Sequence, residues 1–314
     1  MTLLVTGAGG WIGSALVQQA RAAGHGVRAA SRAGTSADTD AVTVGSLGPD
    51  TDWTAALAGC SCVVHLAAQI QAGPERGADP LASFRAANVA GSLNLARQAV
   101  QAGVKRLVYV SSVKVNGEVT AAGRPFCHTD PPAPSGPYAI SKAEAEAGLR
   151  EVARRSGLEL VVVRPPLVYG PGVKANFAAL LRAVRRGVPL PLAAVTHNRR
   201  SLVALDNLVS LLLRCATHPA AAGQTFLVSD GDDLSTAELL RRMGQAMGRP
   251  ARLLNLPLPL LRGGAMLLNK AEVAQRLLDN LQVDIAHTCS TLAWAPPISL
   301  DEGLRRTAAA LPSA

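Results

Sequence analysis

Aromatic residues are scarce. Three tryptophans, three tyrosines and four phenylalanines make up 3% of the 314 positions. The core must therefore be aliphatic, and stacking of nucleic-acid bases on aromatic side chains is disfavoured. Cysteine is also sparse, with Cys60, Cys62, Cys127, Cys215 and Cys289. The number is odd and no CxxC occurs, which argues against a disulfide framework and a zinc site and fits a reducing, cytoplasmic setting. Long apolar runs are missing too. The stretch from Leu256 to Leu268 is interrupted by two prolines, Arg262 and two glycines, and is too short to span a bilayer. Packing under the C-terminal unit is its expected fate, with contact to a membrane-bound pathway partner the alternative. The start, Met1 to Val5, lacks a basic segment, so no signal peptide is expected.

Apolar residues reach 48% and charged residues only 17%, enough for a sizeable core. A chain of this length exceeds a typical domain of about 100–200 residues, so one large or two fused domains are expected. The net charge is +9, with arginines paired at 154–155, 185–186, 199–200, 241–242 and 305–306. Neighbouring helix residues do not share a face, so these pairs read as solvated helix surface rather than a nucleic-acid stripe. A basic balance suits anionic ligands.

Strand-like and helix-like segments alternate through the first half. Leu3–Val5, Val27–Ala30, Cys62–Leu66, Leu107–Val110 and Leu160–Val163 read as strands. Helical spacing runs from Ile12 to Gly24, as one long helix from Leu81 to Ala102, and from Tyr138 to Arg155 after a loop with five prolines. This alternation predicts an α/β fold, a Rossmann-type doubly wound parallel sheet. The expected division is a dinucleotide-binding unit over 1–170 and a smaller substrate unit over 171–314. Parts of 200–215 are expected to return to the first. Helices are expected near 175–186, 235–247 and 299–310.

Between the first strand and helix lies Thr6-Gly7-Ala8-Gly9-Gly10-Trp11-Ile12-Gly13. Glycine at 7 permits a tight turn, at 10 lets backbone approach a pyrophosphate, and at 13 lets helix and strand pack closely. The helix N-terminus then faces the anion. At the end of the second strand an acid would hold the ribose 2′-hydroxyl of NAD. Ser31-Arg32 stands there instead, and an arginine suits a 2′-phosphate. NADP(H) is the expected cofactor, with NAD(H) the alternative if Asp38 or Asp40 supplies the acid.

Tyr138 and Lys142 are four apart, one turn apart on one helix face. An ammonium near a phenol favours the phenolate, so a lowered Tyr138 pKa is expected. A serine pair, Ser111-Ser112, ends the preceding strand, at the edge where such sheets carry their active sites. His65 reads as a packed or cofactor-adjacent residue rather than a metal ligand. No metal site is expected.

Together these motifs resemble the extended short-chain dehydrogenase/reductases of the nucleotide-sugar epimerase/dehydratase family. The resemblance also rests on His65-Leu66-Ala67-Ala68, Asn88-Val89, Arg164-Pro165, Val168-Tyr169-Gly170-Pro171-Gly172 and Arg200 through Asp206. It implies that Ser112, Tyr138 and Lys142 are catalytic: Ser112 hydrogen-bonds the reacting sugar oxygen, Tyr138 is the acid/base, and Lys142 holds the ribose and tunes Tyr138. It implies cofactor contacts from Gly7, Gly10, Trp11, Ile12, Gly13, Ser31, Arg32, Leu66, Ala67, Ala68, Asn88, Tyr138, Lys142, Pro165 and Val168. Asn176, Arg200 and Arg276 become substrate diphosphate contacts, beside Ser112. The implied partner is a UDP-sugar, with neither nucleic acid nor stable membrane insertion, and the implied state is a homodimer.

Departures from the family pattern narrow the activity. Dehydratases carry an Asp-Glu pair where Val113-Lys114 stands here, so elimination of water is unsupported. Ser31-Arg32 departs from epimerases that keep NAD bound. The leading expectation is therefore an NAD(P)H-dependent 4-ketoreductase that forms UDP-N-acetylquinovosamine for surface polysaccharide. A UDP-hexose 4-epimerase is the alternative, and a non-catalytic dinucleotide sensor is a third.

Overall fold

The computed structural model describes residues 1–32, 41–71, 79–268 and 271–311. The first half runs β1 (Thr2–Thr6), α1 (Trp11–Ala22), β2 (Gly26–Ser31), β3 (Ala41–Thr43), α2 (Thr54–Leu57), β4 (Cys62–His65), α3 (Pro80–Phe84), α4 (Ser92–Gln101), β5 (Arg106–Val110), α5 (Gly136–Ser156) and β6 (Glu159–Arg164). The second half runs β7 (Leu167–Tyr169), α6 (Ala175–Arg186), β8 (Leu202–Ala204), α7 (Leu205–Thr217), β9 (Thr225–Leu227), α8 (Thr236–Ala246), α9 (Leu258–Leu267), α10 (Ala271–Leu278), α11 (Ala286–Leu292) and α12 (Leu300–Ala309).

Seven parallel strands form the central sheet in the order β3-β2-β1-β4-β5-β6-β9. The expected Rossmann-type sheet is present. Its inner strands are buried on both faces, which is why they read as unbroken apolar runs rather than alternating ones. The chain reverses direction of growth between β1 and β4, and a crevice opens beyond their C-terminal ends, at Thr6 and His65. On one face, α1 and α7 pack Leu16, Leu208 and Leu212 against Leu3 and Val5. On the other, α4 and α5 pack Leu95, Ala145 and Leu149 against Leu4, Val63 and Leu107. Full burial of each such leucine contributes about 1.5–3 kcal/mol.

Residues beyond 170 contribute to both halves. The helix α7 and the seventh strand β9 join the central sheet and its core, as do Leu292 and Trp294. The remaining late helices gather around Leu181, Leu240, Met243 and Leu304. A small second sheet pairs β7 with β8, so Val168 lies beside Val203.

Two expectations are corrected. The segment from 81 to 102 is not one regular α-helix: Arg85–Gly91 forms a π-helical turn between α3 and α4. Apolar spacing alone does not register such a widened turn. Here it seats Asn88 inside, where its side chain bonds both Gln69 and Ser141. The stretch from Leu256 to Leu268 is the second correction. Leu258 and Leu261 pack on the C-terminal core, but Leu260, Met266, Leu267 and Leu268 face outward.

Candidate active site

The glycine loop follows β1 directly. Gly7 adopts φ +68, and a Cβ there would lie 2.9 Å from Ala67 N, so the loop packs on the segment after β4. A Cβ on Gly13 would run into Gly7 O and lie 2.8 Å from Gly7 C and 2.9 Å from Ala8 Cα. Gly10 donates its N–H to Gly7 O at 2.9 Å. No acidic residue stands in the first turn of α1, so its N–H groups face the crevice uncompensated. This cradle fits the pyrophosphate of a dinucleotide. Trp11 clamps the loop from outside: its indole Nε1 donates to Pro171 O at 2.6 Å, and Ile12 packs on the core beneath.

After β4, Leu66, Ala67 and Ala68 are half-buried along the crevice. Thr6 Oγ1 accepts from Ala67 N at 3.2 Å and lies 2.6 Å from His65 Nδ1. His65 Nε2 lies 2.9 Å from Ser92 Oγ. Burial, aided by the nearby Lys142 charge, drives the His65 pKa down to about 3, so it is a neutral packing residue, as expected. Asn88 is buried, accepts from Gln69 N at 2.8 Å, and donates to Ser141 Oγ at 3.0 Å. It therefore joins the Leu66–Gln69 segment to α5. Ser31 is half-buried and Arg32 exposed at the end of β2, while Asp38 and Asp40 lie outside the described residues.

The candidate reacting side chains come from the ends of β5 and α5. Ser112 begins a tight turn over Val113–Val115, and its Oγ accepts from Lys114 N at 3.2 Å. The hydroxyl proton is thus available to donate toward a sugar oxygen. Val113 is buried and Lys114 pairs with Glu118 at 2.7 Å, so neither offers the acid that dehydration needs. Pro165 is buried, and its carbonyl accepts from Val113 N at 3.0 Å.

Tyr138 opens α5 and meets Phe84 edge-on, with ring centroids 6.1 Å apart. Lys142, one turn later, is 2% exposed. Its Nζ donates to Val110 O at 2.7 Å and lies 4.2 Å from the centre of the Tyr109 ring. Burial lowers its pKa from 10.5 to about 7, opposed by the carboxylate of Glu146. The expectation of a lowered Tyr138 pKa is overturned. Burial pushes it up to about 12, and the Lys142 ammonium, bonded to Val110 O, does not offset this.

A network that sequence reasoning missed lies one turn further along α5. Glu146 and Arg164, both buried, form a two-pronged ion pair with bonds of 2.9 and 2.6 Å. Arg164 also donates to Asn116 Oδ1 at 3.0 Å. The spacing Tyr138, Lys142, Glu146 on one face was a usable signal: an acid on the buried side of a helix demands a partner.

The expected diphosphate contacts lie in the C-terminal part of the chain. Arg200 donates to Asp279 O at 3.0 Å and is close enough to Arg276 for the second charge to help lower its pKa, after burial. Arg276, on α10, bonds Glu272 at 3.1 Å. Asn176 is exposed in the first turn of α6, directly after Ala175, which holds φ +55. Asn198 is buried and bonds Thr236 and Leu277 O, so it is structural. Among the described residues no three metal-ligating side chains cluster, and all five cysteines are free. No helix among them is long and apolar enough to cross a membrane.

Comparison with known proteins gives a consistent result. A UDP-glucose 4-epimerase of Vibrio cholerae is 44% identical over 311 residues, 98% of this chain and 95% of that protein. A UDP-glucose 4-epimerase of Mycolicibacterium smegmatis is 31% identical, covering 98% of this chain and 97% of its own. Among solved structures, MoeE5 in complex with UDP-glucuronic acid and NAD is 27% identical with a TM-score of 0.75, covering 98% of each chain. The model of the NAD dependent epimerase/dehydratase family matches residues 3–229. Since that match takes in the glycine loop, Ser112, Tyr138 and Lys142 alike, the protein belongs to this family of enzymes.

Proposed function

We propose that the protein is a UDP-hexose 4-epimerase with a tightly bound NAD. The observation that carries this reading is the 44% identity, over nearly the whole chain, to the Vibrio cholerae UDP-glucose 4-epimerase. The site geometry supports it. The glycine cradle, Leu66 to Ala68 and Pro165 hold the dinucleotide, and Arg200, Arg276 and Asn176 hold the sugar diphosphate. An NAD held there would supply the acceptor and donor of the hydride exchanged at C4 of the sugar. Tyr138 takes the proton of the C4 hydroxyl during oxidation and returns it during reduction, so no net proton or electron leaves the site. Ser112 donates a hydrogen bond to the same oxygen and stabilises its developing charge. To accept that proton Tyr138 must act as the phenolate; burial opposes this form in the unliganded site, and Lys142, one turn away, is the cation of the chain placed to favour it once the dinucleotide and sugar fill the crevice.

The expected ketoreductase becomes the second reading. One observation favours it: Arg32, exposed at the end of β2, suits a 2′-phosphate and hence NADPH. Cofactor demand separates the two. An epimerase interconverts UDP-glucose and UDP-galactose with nothing added and releases NAD on denaturation. A reductase consumes one NADPH for each 4-keto-sugar. In either case Tyr138→Phe is expected to lower kcat by roughly a hundred- to ten-thousandfold while dinucleotide binding persists. Near-full activity in that variant would refute the acid/base role.

The same reading takes the enzyme to be a cytoplasmic homodimer. Beside α4 and α5 lies an open groove of about 370 Å³ lined by Val89 and Ala90 of the π-helical turn and Leu93 of α4, and rimmed by Arg85, which pairs with Glu144 of α5 at 2.6 Å.

A further inference from the structure

The helix α9 presents an apolar face that no described residue covers. Leu258 and Leu261 fasten one side of it to the C-terminal core. On the other side Leu260 and Leu267, seven residues apart, share a face, with Gly263 and Gly264 between them and open space around both glycines. Leu267 is 90% exposed, Met266 75% and Leu268 69%. Val273 at the start of α10 and Leu254 before α9 are exposed as well. Soluble proteins seldom leave such a continuous apolar surface to water unless it contacts something.

The chain leading into this face is basic. Residues 239–268 carry five arginines, Arg241, Arg242, Arg249, Arg252 and Arg262, and no acidic residue. Arg262 projects from α9 itself and reaches Asp279 at 2.9 Å; Arg276 stands on the neighbouring α10 with Glu272 as its partner. Both pairs are exposed, so they hold the arginines weakly. Arg242 is occupied by Asp232 and Glu238, and Arg249 by Arg185 O.

We propose that α9 docks on an anionic membrane surface, with Leu260, Met266, Leu267 and Leu268 against the acyl boundary and arginines such as Arg262 among the phosphate headgroups. An apolar helix face edged by arginines is the pattern of a helix lying in the plane of the lipid interface. A second copy of the chain fits less well, because a two-fold contact would set Arg262 and Arg276 of each protomer near those of the other. The face also adjoins the substrate arginines: Asp279, the partner of Arg262, accepts from Arg200 through its backbone carbonyl. Docking would set the diphosphate end of the crevice near the lipid headgroups, with no described helix crossing the bilayer.

The test is flotation of the full-length protein with vesicles of phosphatidylcholine alone and of phosphatidylcholine mixed with phosphatidylglycerol. The wild type is expected to float with the anionic vesicles and more weakly with the neutral ones. The triple variant Leu260→Ser, Met266→Ser, Leu267→Ser alters only exposed positions, so it should keep the wild-type Tm and its turnover of soluble substrate while its partitioning falls about tenfold or more. The proposal is overturned if the wild type stays unbound with both vesicle types, if it binds both equally, or if the variant floats as well as the wild type. A wild-type dimer that the triple variant converts to monomer in lipid-free buffer would overturn it too, since a second copy would then cover the face.

Discussion

Replacing Lys142 by methionine removes a buried ammonium from a helix that otherwise packs well. Burial lowers the Lys142 pKa from 10.5 to about 7. At about 1.4 kcal/mol per pH unit, this corresponds to roughly 5 kcal/mol of stability lost wherever the folded protein must carry the charge, below pH 7. The folded pKa lies under the unfolded one, so between them the unfolded chain binds more protons and stability rises with pH. From pH 6 to pH 9 the wild type should gain about 3 kcal/mol from this group alone. Methionine keeps the apolar stem and carries no charge, so the variant lacks that gain. It also leaves Val110 O without its 2.7 Å donor, a cost of about 1–3 kcal/mol for a buried acceptor. The variant should therefore be more stable than wild type by about 2–3 kcal/mol at pH 6 and near parity at pH 9, while losing its turnover. Urea unfolding at both pH values, in the absence of cofactor, reads the difference. A wild-type-minus-variant gap that stays flat from pH 6 to pH 9 would show that Lys142 is not held as a depressed, buried base.

Three further outcomes follow from the geometry. Gly13→Ala sets a Cβ into the Gly7 backbone, which cannot move without opening the loop, so a loss of about 1–3 kcal/mol in Tm-derived stability and weaker dinucleotide binding are expected; calorimetry with and without NAD checks both. Ala175→Gly relieves a non-glycine residue at φ +55 and should stabilise the apo protein by about 1 kcal/mol in urea unfolding. Arg200→Met removes a charge-assisted contact worth about 1.5–3 kcal/mol, so KM for the sugar nucleotide should rise roughly ten- to a hundredfold with kcat changed far less; a kcat defect with unchanged KM would place Arg200 outside the diphosphate site.

The fold was readable because its signals are local. Buried parallel strands such as Leu107–Val110 leave unbroken apolar runs, and the turn chemistry of Gly7 and Gly13 is written in one loop. The short strands β7, β8 and β9 were not readable, because three residues carry no period and their partners lie far along the chain. The π-helical turn at Arg85–Gly91 escaped because one extra residue in a turn barely disturbs the apolar spacing. At the site, residue identities were legible but their electrostatics were not. A Tyr and a Lys four apart suggest a lowered phenol pKa only if both stay solvated; burial of both reverses that effect. The outward face of α9 was misjudged for a related reason: composition states that a segment is apolar but not which neighbour covers it.

The buried pair Glu146–Arg164 explains how three candidate reacting groups from two elements keep one geometry. Tyr138 and Lys142 ride on α5, whereas Ser112 sits on the turn after β5. Arg164 stands at the end of β6 and grips Glu146 of α5 with two bonds while donating to Asn116, just beyond the Ser112 turn. The next residue, Pro165, receives Val113 N from that same turn. Arg164 and Pro165 thus hold both elements at once. A buried ion pair adds little net stability, since desolvation offsets most of its attraction. Its effect here is directional: breaking either partner leaves an unpaired charge under the helix, so α5 has one seating against the Ser112 turn. On the proposed mechanism, the distance between Tyr138 and a sugar oxygen held by Ser112 is set by that seating, through two residues buried beneath the reacting groups.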